Sequence, residues 1–416
     1  MDLTQIFFAI VILLAGAKLL GALFRKIKQP ALGGEILAGI ILGPTLFGIV
    51  QISDGLELIS TIAIFFVMLF IGLEMNLSEI RKTGKSALLI SVTSLIIPFF
   101  AGYQLSVVFG LDLIESLFIG LLLSVTSVPV SAMILRELGI LKTKAGTTVM
   151  SVAIIDDIIS LVILAIILQL HVNEGAPFDF AEVGISILAM AAFLTSVAFL
   201  AFAVYRIDNW LPERFELFFE KTKTTEAKFG ILIILAITLS LIADLAGLHF
   251  ILGVFFAGLI FSKKILGKKE SDKTYGMMSG MTFGFVAPLF FAIIGIKFSA
   301  QSLENYILFL VLLVLFGLSG KTFGGFLGTK LSKFSTMQGL AISTLLNGRG
   351  TVGLTITAIA YAMGILDIVL FSVCVLICVI TTMITPMIAK PFLKRSCNAM
   401  RIYSQGMMER NKIGQR

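Results

Sequence analysis

The chain has 416 residues, of which 58% are apolar and only 14% are charged, and its formal net charge is +7. Soluble domains carry about 25% charged residues, so this composition excludes an ordinary soluble protein and indicates a membrane protein. The positive charges lie mainly in short connections between apolar stretches. This placement is typical of a positive-inside topology rather than of a nucleic-acid-binding surface.

Apolar stretches about twenty residues long recur along the chain, and each can cross a hydrocarbon core of about 30 Å. They predict an all-α membrane protein with thirteen transmembrane helices. In chain order these helices are placed at residues 3–23, 32–50, 58–77, 85–109, 113–137, 142–170, 181–205, 227–246, 248–263, 276–298, 303–330, 337–363 and 366–390. Residues 1–390 then form one transmembrane unit, followed by a short cytoplasmic tail at 391–416.

The connections between these spans alternate in charge. One set, together with the C-terminal tail, holds 28 of the 32 Lys and Arg residues, whereas the opposite set is acidic. The positive-inside rule therefore predicts an outside N-terminus and a cytoplasmic C-terminus in a prokaryotic inner membrane. Four basic residues remain within spans: Lys18 and Lys297, expected to reach the interface, and Lys321 and Arg349, which are deeper and need partners.

Short motifs recur at an offset of about 219 residues, or seven spans. The matching pairs are 120–124 with 339–343, 38–40 with 257–259, and 65–72 with 290–295. Because seven is odd, the two copies face opposite ways across the membrane. An inverted repeat of six spans, a linking seventh and six more is typical of secondary transporters, which bind their substrates near the midplane.

Two spans at corresponding places in the repeat contain helix-breaking sequences. The fifth holds Ser124-Val-Thr-Ser-Val-Pro129, and the twelfth holds Asn347-Gly-Arg-Gly-Thr-Val-Gly353. Unwound backbone at membrane depth needs protein or water to satisfy it, so we expect two broken helices that cross at the midplane. The alternative is a proline kink and a glycine packing face.

Two adjacent acids, Asp156 and Asp157, lie near the centre of the sixth span. One charge there costs about 2.5–3.5 kcal/mol on insertion scales, so such residues mark ion or proton pathways. A carboxylate that holds either a sodium ion or a proton, but not both together, produces exchange. A structural ion pair with Lys321 or Arg349 could instead account for one acid. Arg349 could also compensate carbonyl dipoles.

The segment 153–158 resembles the aspartate-pair helix of the NhaA and NapA sodium/proton antiporters. Residues 126–130 with 136–139 resemble the broken fourth helix of the NapA and Kef-type branch. Gly320-Lys321 resembles the lysine helix of the same transporters, and 347–350 their second broken helix. The similarity covers about 30–390 and suggests a member of the monovalent cation:proton antiporter superfamily.

The resemblance implies an elevator mechanism in which core helices at about 85–170 and 303–390 move against a dimerisation scaffold at about 1–77 and 181–298. It implies that Asp157 is the main ion and proton carrier, and that Asp156 pairs with Lys321 and releases it as sodium arrives. Sodium would be held at Asp157, Asp156 and Thr126, with Ser127 lining the site and Arg349 as a supporting charge. The chain departs from the family's pattern where Thr126 and Ser127 replace an acid of NhaA, and where Thr351 replaces a glutamate.

These features predict a transporter, not an enzyme, that exchanges Na+ or Li+ for H+ electrogenically, and the resemblance implies that it is a homodimer. Its partners would be small cations and the lipid bilayer, with no cofactor besides the transported ions and no nucleic acid. Potassium/proton exchange is the alternative, and a cation channel is a third possibility. His171 and His249, near outer span ends, and Glu74, near a cytoplasmic end, could respond to pH or simply be solvated end residues.

Overall fold

A computed structural model describes residues 3–74, 77–141, 143–172, a few residues between 188 and 199, 225–246, 249–260 and 268–413. These residues form helices and their connections, without a β-strand in the described ranges. The first seven helices are α1 (Leu3–Lys26), α2 (Ala31–Leu42), α3 (Asp54–Glu74), α4 (Leu77–Val108), α5 (Leu113–Ser124), α6 (Val128–Glu137) and α7 (Lys144–Val172). The next four are α8 (Thr225–Leu245), α9 (Phe250–Ile260), α10 (Lys268–Met281) and α11 (Ala287–Lys297), with a π-helical turn (Thr282–Val286) between α10 and α11. After a 3-10 turn (Gln301–Tyr306) come α12 (Ile307–Leu331), α13 (Thr336–Leu345), α14 (Gly350–Ala362) and α15 (Ile368–Ile413).

Eight helical stretches in the described ranges are long and apolar enough to cross a membrane. Every predicted span except the seventh contains a described helix, and the seventh, at 181–205, lies largely outside the described residues. The second predicted span, at residues 32–50, was too long because α2 ends at Leu42. Pro44 disfavours a helical conformation at the residue before it, and Gly48 has a positive φ of 61° that ends the turn.

The first of two compact units comprises residues 1–24, 34–77 and 164–298. Glycines let its helices approach at backbone distance. A Cβ added to Gly39 of α2 would lie 2.9 Å from the Cα of Gly295 in α11. A Cβ on Gly72 of α3 would lie 3.1 Å from the Cα of Gly258 in α9. The two crossings therefore use the four glycines of the repeated motifs.

Two basic residues expected at the membrane interface have partners within this unit. Lys297 forms an ion pair with Glu57 at 3.0 Å. Lys18 donates to the carbonyl of Phe283 at 2.7 Å. Phe283 belongs to the π-helical turn, where the regular backbone pattern is interrupted. Lys18 thus stabilises an irregular turn.

The second unit comprises residues 25–33, 78–163 and 299–416. Its α12 packs closely on α4 through glycines: a Cβ on Gly320 would lie 3.3 Å from Pro98 Cα, and one on Gly324 would lie 3.0 Å from Ser94 Cα. This close packing brings Lys321, between those glycines, towards the polar side chains of α4.

Both predicted helix interruptions are present in the second unit. The first separates α5 from α6, and Pro129 occupies the start of α6, where its missing N–H has no consequence for the helix. The second separates α13 from α14, and Gly350 at the start of α14 has a positive φ of 41°. Unwound backbone therefore occurs at corresponding places, at 125–127 and 346–349.

Candidate ion-binding site

Asp156 of α7 is fully buried and accepts hydrogen bonds from three different segments. Its Oδ2 lies 2.8 Å from Lys321 Nζ of α12 and 2.7 Å from Thr126 Oγ1 in the first interruption. Its Oδ1 accepts from Ser91 Oγ of α4. Both oxygens of Asp156 are therefore occupied, and its negative charge is balanced by the Lys321 ammonium.

Asp157, the next residue, is also fully buried but has a different environment. Neither of its carboxylate oxygens has a hydrogen-bond partner in the described part of the chain. Successive helical residues point about 100° apart, so the two acids face different neighbours. A buried carboxylate without donors is strongly disfavoured, whereas the protonated or cation-bound forms are not. Asp157 is therefore suited to bind either a proton or a cation.

The end of α5 is stabilised by two buried cations. The last carbonyls of a helix lack partners in their own helix and carry partial negative charge. Arg349 donates from Nε to the Leu122 carbonyl at 3.1 Å and from Nη2 to the Leu123 carbonyl at 2.6 Å. Lys321 Nζ donates to the Ser124 carbonyl. Arg349 thus compensates carbonyl dipoles, one of the two roles that its sequence position left open.

The two interruptions are bonded directly to each other. The Ser127 N–H donates to the Gly348 carbonyl at 2.6 Å. Beside this contact, the Gly350 N–H at the start of α14 donates to Thr382 Oγ1 of α15 at 2.9 Å. Each bond satisfies a backbone group freed by the unwinding, as irregular backbone at membrane depth requires.

Several further buried oxygens in the second unit have no partner in the described residues. Among them are Ser127 Oγ, Asn347 Oδ1, Thr351 Oγ1, Ser151 Oγ and Ser160 Oγ. Hard cations are bound by oxygen ligands of this kind. The described ranges contain no group of three or more His, Cys, Asp or Glu side chains that could hold a resident metal ion.

The structure brings some of the predicted site residues together and leaves others apart. Asp156, Thr126 and Lys321 are in direct contact. The Ser127 hydroxyl has no hydrogen-bond partner in the described residues, although its N–H joins the two interruptions. Ser91 and Thr382 were missed by the sequence reasoning. For Ser91 the available signal was a cluster of three hydroxyl side chains, Ser91, Thr93 and Ser94, within a mainly apolar span.

Comparison of the chain with known proteins identifies its family. A family model described as sodium/hydrogen exchanger, transmembrane, matches residues 9–395. The chain is 27% identical to a Bacillus cereus protein named Probable Na(+)/H(+) antiporter GerT, over 85% of this chain and 90% of that protein. It is 28% identical to the Na(+)/H(+)-K(+) antiporter GerN of the same organism, over 87% and 89%.

A solved structure has a similar fold. The sodium proton antiporter MjNhaP1 from Methanocaldococcus jannaschii superposes with a TM-score of 0.70 and 18% sequence identity. The match covers 95% of this chain and 99% of that chain. At this identity the likeness concerns the fold, and it extends over nearly all of both chains.

Proposed function

The chain belongs to the sodium/hydrogen exchanger family, a family of secondary cation/proton antiporters, and on that premise we propose that it exchanges Na+ or Li+ for H+ at Asp157. The resemblance to sodium/proton antiporters is thereby confirmed, and the protein is a multi-pass membrane transporter rather than an enzyme. The identity of the carrier acid and the mechanism of exchange are the parts that we propose.

The contrast between the two adjacent acids carries this proposal. Asp156 has three donors, including the ammonium of Lys321, whereas both oxygens of Asp157 are buried without one. A carboxylate in the latter environment binds a proton or a cation in turn, because either one neutralises it. Competition of the two ions for one group couples their movements.

Asp156 acts as the second acid of the site. Sodium, held by Asp157, Asp156 and Thr126, competes with the Lys321 ammonium for Asp156 Oδ2 and releases it. The Thr126 hydroxyl, 2.7 Å from the same oxygen, remains nearby to contribute a neutral oxygen ligand. Ser127 lines the site from the crossing, and Arg349 supplies fixed positive charge at the end of α5.

Potassium is the second candidate cation. It is favoured by the relative GerN, whose name assigns it Na+/H+-K+ exchange and which is 28% identical over most of both chains. The preference for one cation over another depends on the spacing of the oxygen ligands. The exchange assay described below compares Na+, Li+ and K+ directly.

Exchange is proposed to occur by an elevator movement in a homodimer. The unit that contains Asp156, Lys321 and both interruptions is compact in itself, which supports a core that carries the ion as one body. The core would comprise about 85–170 and 303–390, and the dimerisation scaffold about 1–77 and 181–298. Two acids in the site favour the transfer of two protons per sodium ion, which would make exchange electrogenic.

The glycine crossings and the paired interruptions support an inverted repeat of thirteen spans. Gly39 meets Gly295 and Gly258 meets Gly72, so each copy of the repeat contributes one helix to each crossing. The charge alternation of the loops supports an outside N-terminus, a cytoplasmic C-terminus and placement in a prokaryotic inner membrane. Labelling of single cysteines in intact cells tests this orientation: one placed at Asp54 should react with an impermeant reagent, and one placed at Lys333 should not.

The exchange itself is tested in proteoliposomes that trap a pH-sensitive dye and have an acidic interior. Na+, Li+ or K+ is added outside, and proton efflux is recorded for the wild type and for Asp157→Asn. Asp244→Asn serves as a matched control because Asp244 is an exposed acid outside the site. Wild type and control should release protons on addition of sodium or lithium, and Asp157→Asn should not.

Two results would change the proposal. A response to potassium alone would keep the mechanism and replace the substrate. Correctly folded wild-type protein without any cation-driven proton movement would refute exchange and favour a channel. Adding valinomycin and potassium to clamp the membrane potential then tests electrogenicity: sodium-driven efflux should accelerate only if each cycle moves net charge.

A further inference from the structure

Ser91 lies on α4, on a part of the core that the proposed function does not otherwise use. Its side chain is fully buried, and its hydroxyl donates to Asp156 Oδ1. This bond is made on the oxygen that Lys321 and Thr126 leave free, since both of those groups contact Oδ2. Ser91 therefore holds the carboxylate from the opposite side.

The other two donors of Asp156 have alternative acceptors. Thr126 Oγ1 lies 2.7 Å from Asp156 Oδ2 and 3.1 Å from the Leu346 carbonyl, and its single proton can serve only one of them at a time. Lys321 also donates to the Ser124 carbonyl. Ser91 Oγ, in contrast, has Asp156 as its acceptor, with no second one in the described residues.

We propose that Ser91 is a positioning residue that keeps the Asp156 carboxylate correctly oriented while Lys321 leaves it. This inference rests on the proposed exchange at the aspartate pair. When sodium displaces the ammonium, Asp156 loses the donor that balances its charge, and the Thr126 hydroxyl becomes free to turn. The Ser91 bond persists, so the Asp156 carboxylate stays in the rotamer that presents Oδ2 to the arriving cation.

The location of Ser91 supports this role. Its backbone carbonyl accepts from Ser94 Oγ at 3.1 Å, so the neighbouring serine is satisfied within α4 itself. The glycine contacts between α4 and α12 hold Ser94 and Gly324 at backbone distance. The helix that carries Ser91 is thus packed closely against the helix that carries Lys321, and this packing holds Ser91 beside Asp156 when the Lys321 ammonium moves away.

The test compares Ser91→Ala with Ser91→Thr, which retains the hydroxyl, and with Ser94→Ala as a matched control. Ser94 is equally buried on the same helix but does not contact Asp156. In proteoliposomes, Ser91→Ala should raise the apparent KM for sodium roughly tenfold or more, because a hydrogen bond to a charged group is lost. The maximal rate should change less than KM, and Ser91→Thr should restore much of the sodium affinity.

Two outcomes would overturn the proposal. The first is a Ser91→Ala protein with the same KM for sodium as Ser94→Ala. The second is a loss of maximal rate alone, without rescue by threonine, since that pattern would indicate a general packing defect.

A thermal double-mutant cycle separates failure of this inference from failure of the exchange proposal, because it needs no transport. Melting midpoints of the wild type, Ser91→Ala, Asp156→Ala and the double variant are compared in detergent. If Ser91 acts on Asp156, the double variant is less destabilised than the sum of the single ones. Additive effects would refute the contact even in a protein that exchanges normally.

Discussion

Lys321 and Asp156 form an ion pair with 2.8 Å between Nζ and Oδ2, and both side chains are fully inaccessible to solvent. The pair joins α12 to α7 across the centre of the core. Thr126, from the first helix interruption, donates to the same carboxylate oxygen. A charge pair in this position holds the broken helix and two continuous helices in one arrangement.

Removal of one partner of this pair should be far more harmful than removal of both. Lys321→Met leaves a buried carboxylate, and Asp156→Asn leaves a buried ammonium, each at a cost of about 3–5 kcal/mol by analogy with other buried pairs. The double variant Lys321→Met/Asp156→Asn should recover a large part of that loss. Melting midpoints of the purified proteins measure the loss of stability in each single variant and its recovery in the double variant. Additive destabilisation would mean that the two groups are not energetically coupled.

Substitution of Asp157 should affect function without affecting stability. Asp157→Asn removes a buried carboxyl group that has no hydrogen-bond partner in the described residues, so we expect an unchanged or higher melting midpoint. Asp156→Asn, measured alongside, should melt lower because it loses the ammonium contact. A strongly destabilised Asp157→Asn protein would show that Asp157 has a structural partner and is not the exchanging group.

Replacement of Arg349 should uncap the end of α5. Arg349→Met leaves the carbonyls of Leu122 and Leu123 without their donors and removes a buried charge. Arg349→Lys keeps the charge but cannot donate from two positions of a planar group. Hydrogen bonds to charged groups contribute about 1.5–3 kcal/mol each, so the methionine variant should be the less stable of the two. Thermal denaturation ranks the variants, and equal midpoints would contradict the capping role.

Gly350 should tolerate alanine less well than a glycine with a similar backbone but open surroundings. Its φ is +41°, and an added Cβ would lie 2.7 Å from Ser127 Cβ and 2.8 Å from Val130 Cγ2. Gly364 has a φ of +79° with nothing within 4 Å of the same position. Left-handed backbone alone costs alanine about 1–2 kcal/mol. We therefore expect Gly364→Ala to retain most exchange activity and Gly350→Ala to lose it.

The comparison of Gly350→Ala and Gly364→Ala should be made on protein amounts matched by fluorescence-detected chromatography. Similar residual activity in the two variants would show that contact between the interruptions is not needed for transport. In that case the hydrogen bond from the Ser127 N–H to the Gly348 carbonyl would be a consequence of the fold rather than a requirement of the site.

Local composition was sufficient to predict the class of this protein and the two helix interruptions. Hydrocarbon thickness requires long apolar helices, and a charge at the bilayer centre is costly whatever its neighbours. Pro129 and the glycines of 347–353 break helices by their own backbone properties. These effects depend on the type of each residue and not on its distant neighbours, so they can be predicted from the sequence. Where α2 ends was predicted less well, because helix ends depend on a few local contacts.

Only the tertiary structure decided which group each buried charge contacts. Sequence reasoning left open whether Arg349 served an acid or carbonyl dipoles, and it did not find Ser91 at all. Adjacent residues on one helix face directions about 100° apart, and the packing of α4 and α12 around α7 determines which direction meets donors. Asp156 accepts hydrogen bonds from Ser91, Thr126 and Lys321, whereas Asp157 accepts none from them. Two chemically identical side chains thereby acquire different environments, and this difference arises from the packing of distant segments rather than from local sequence.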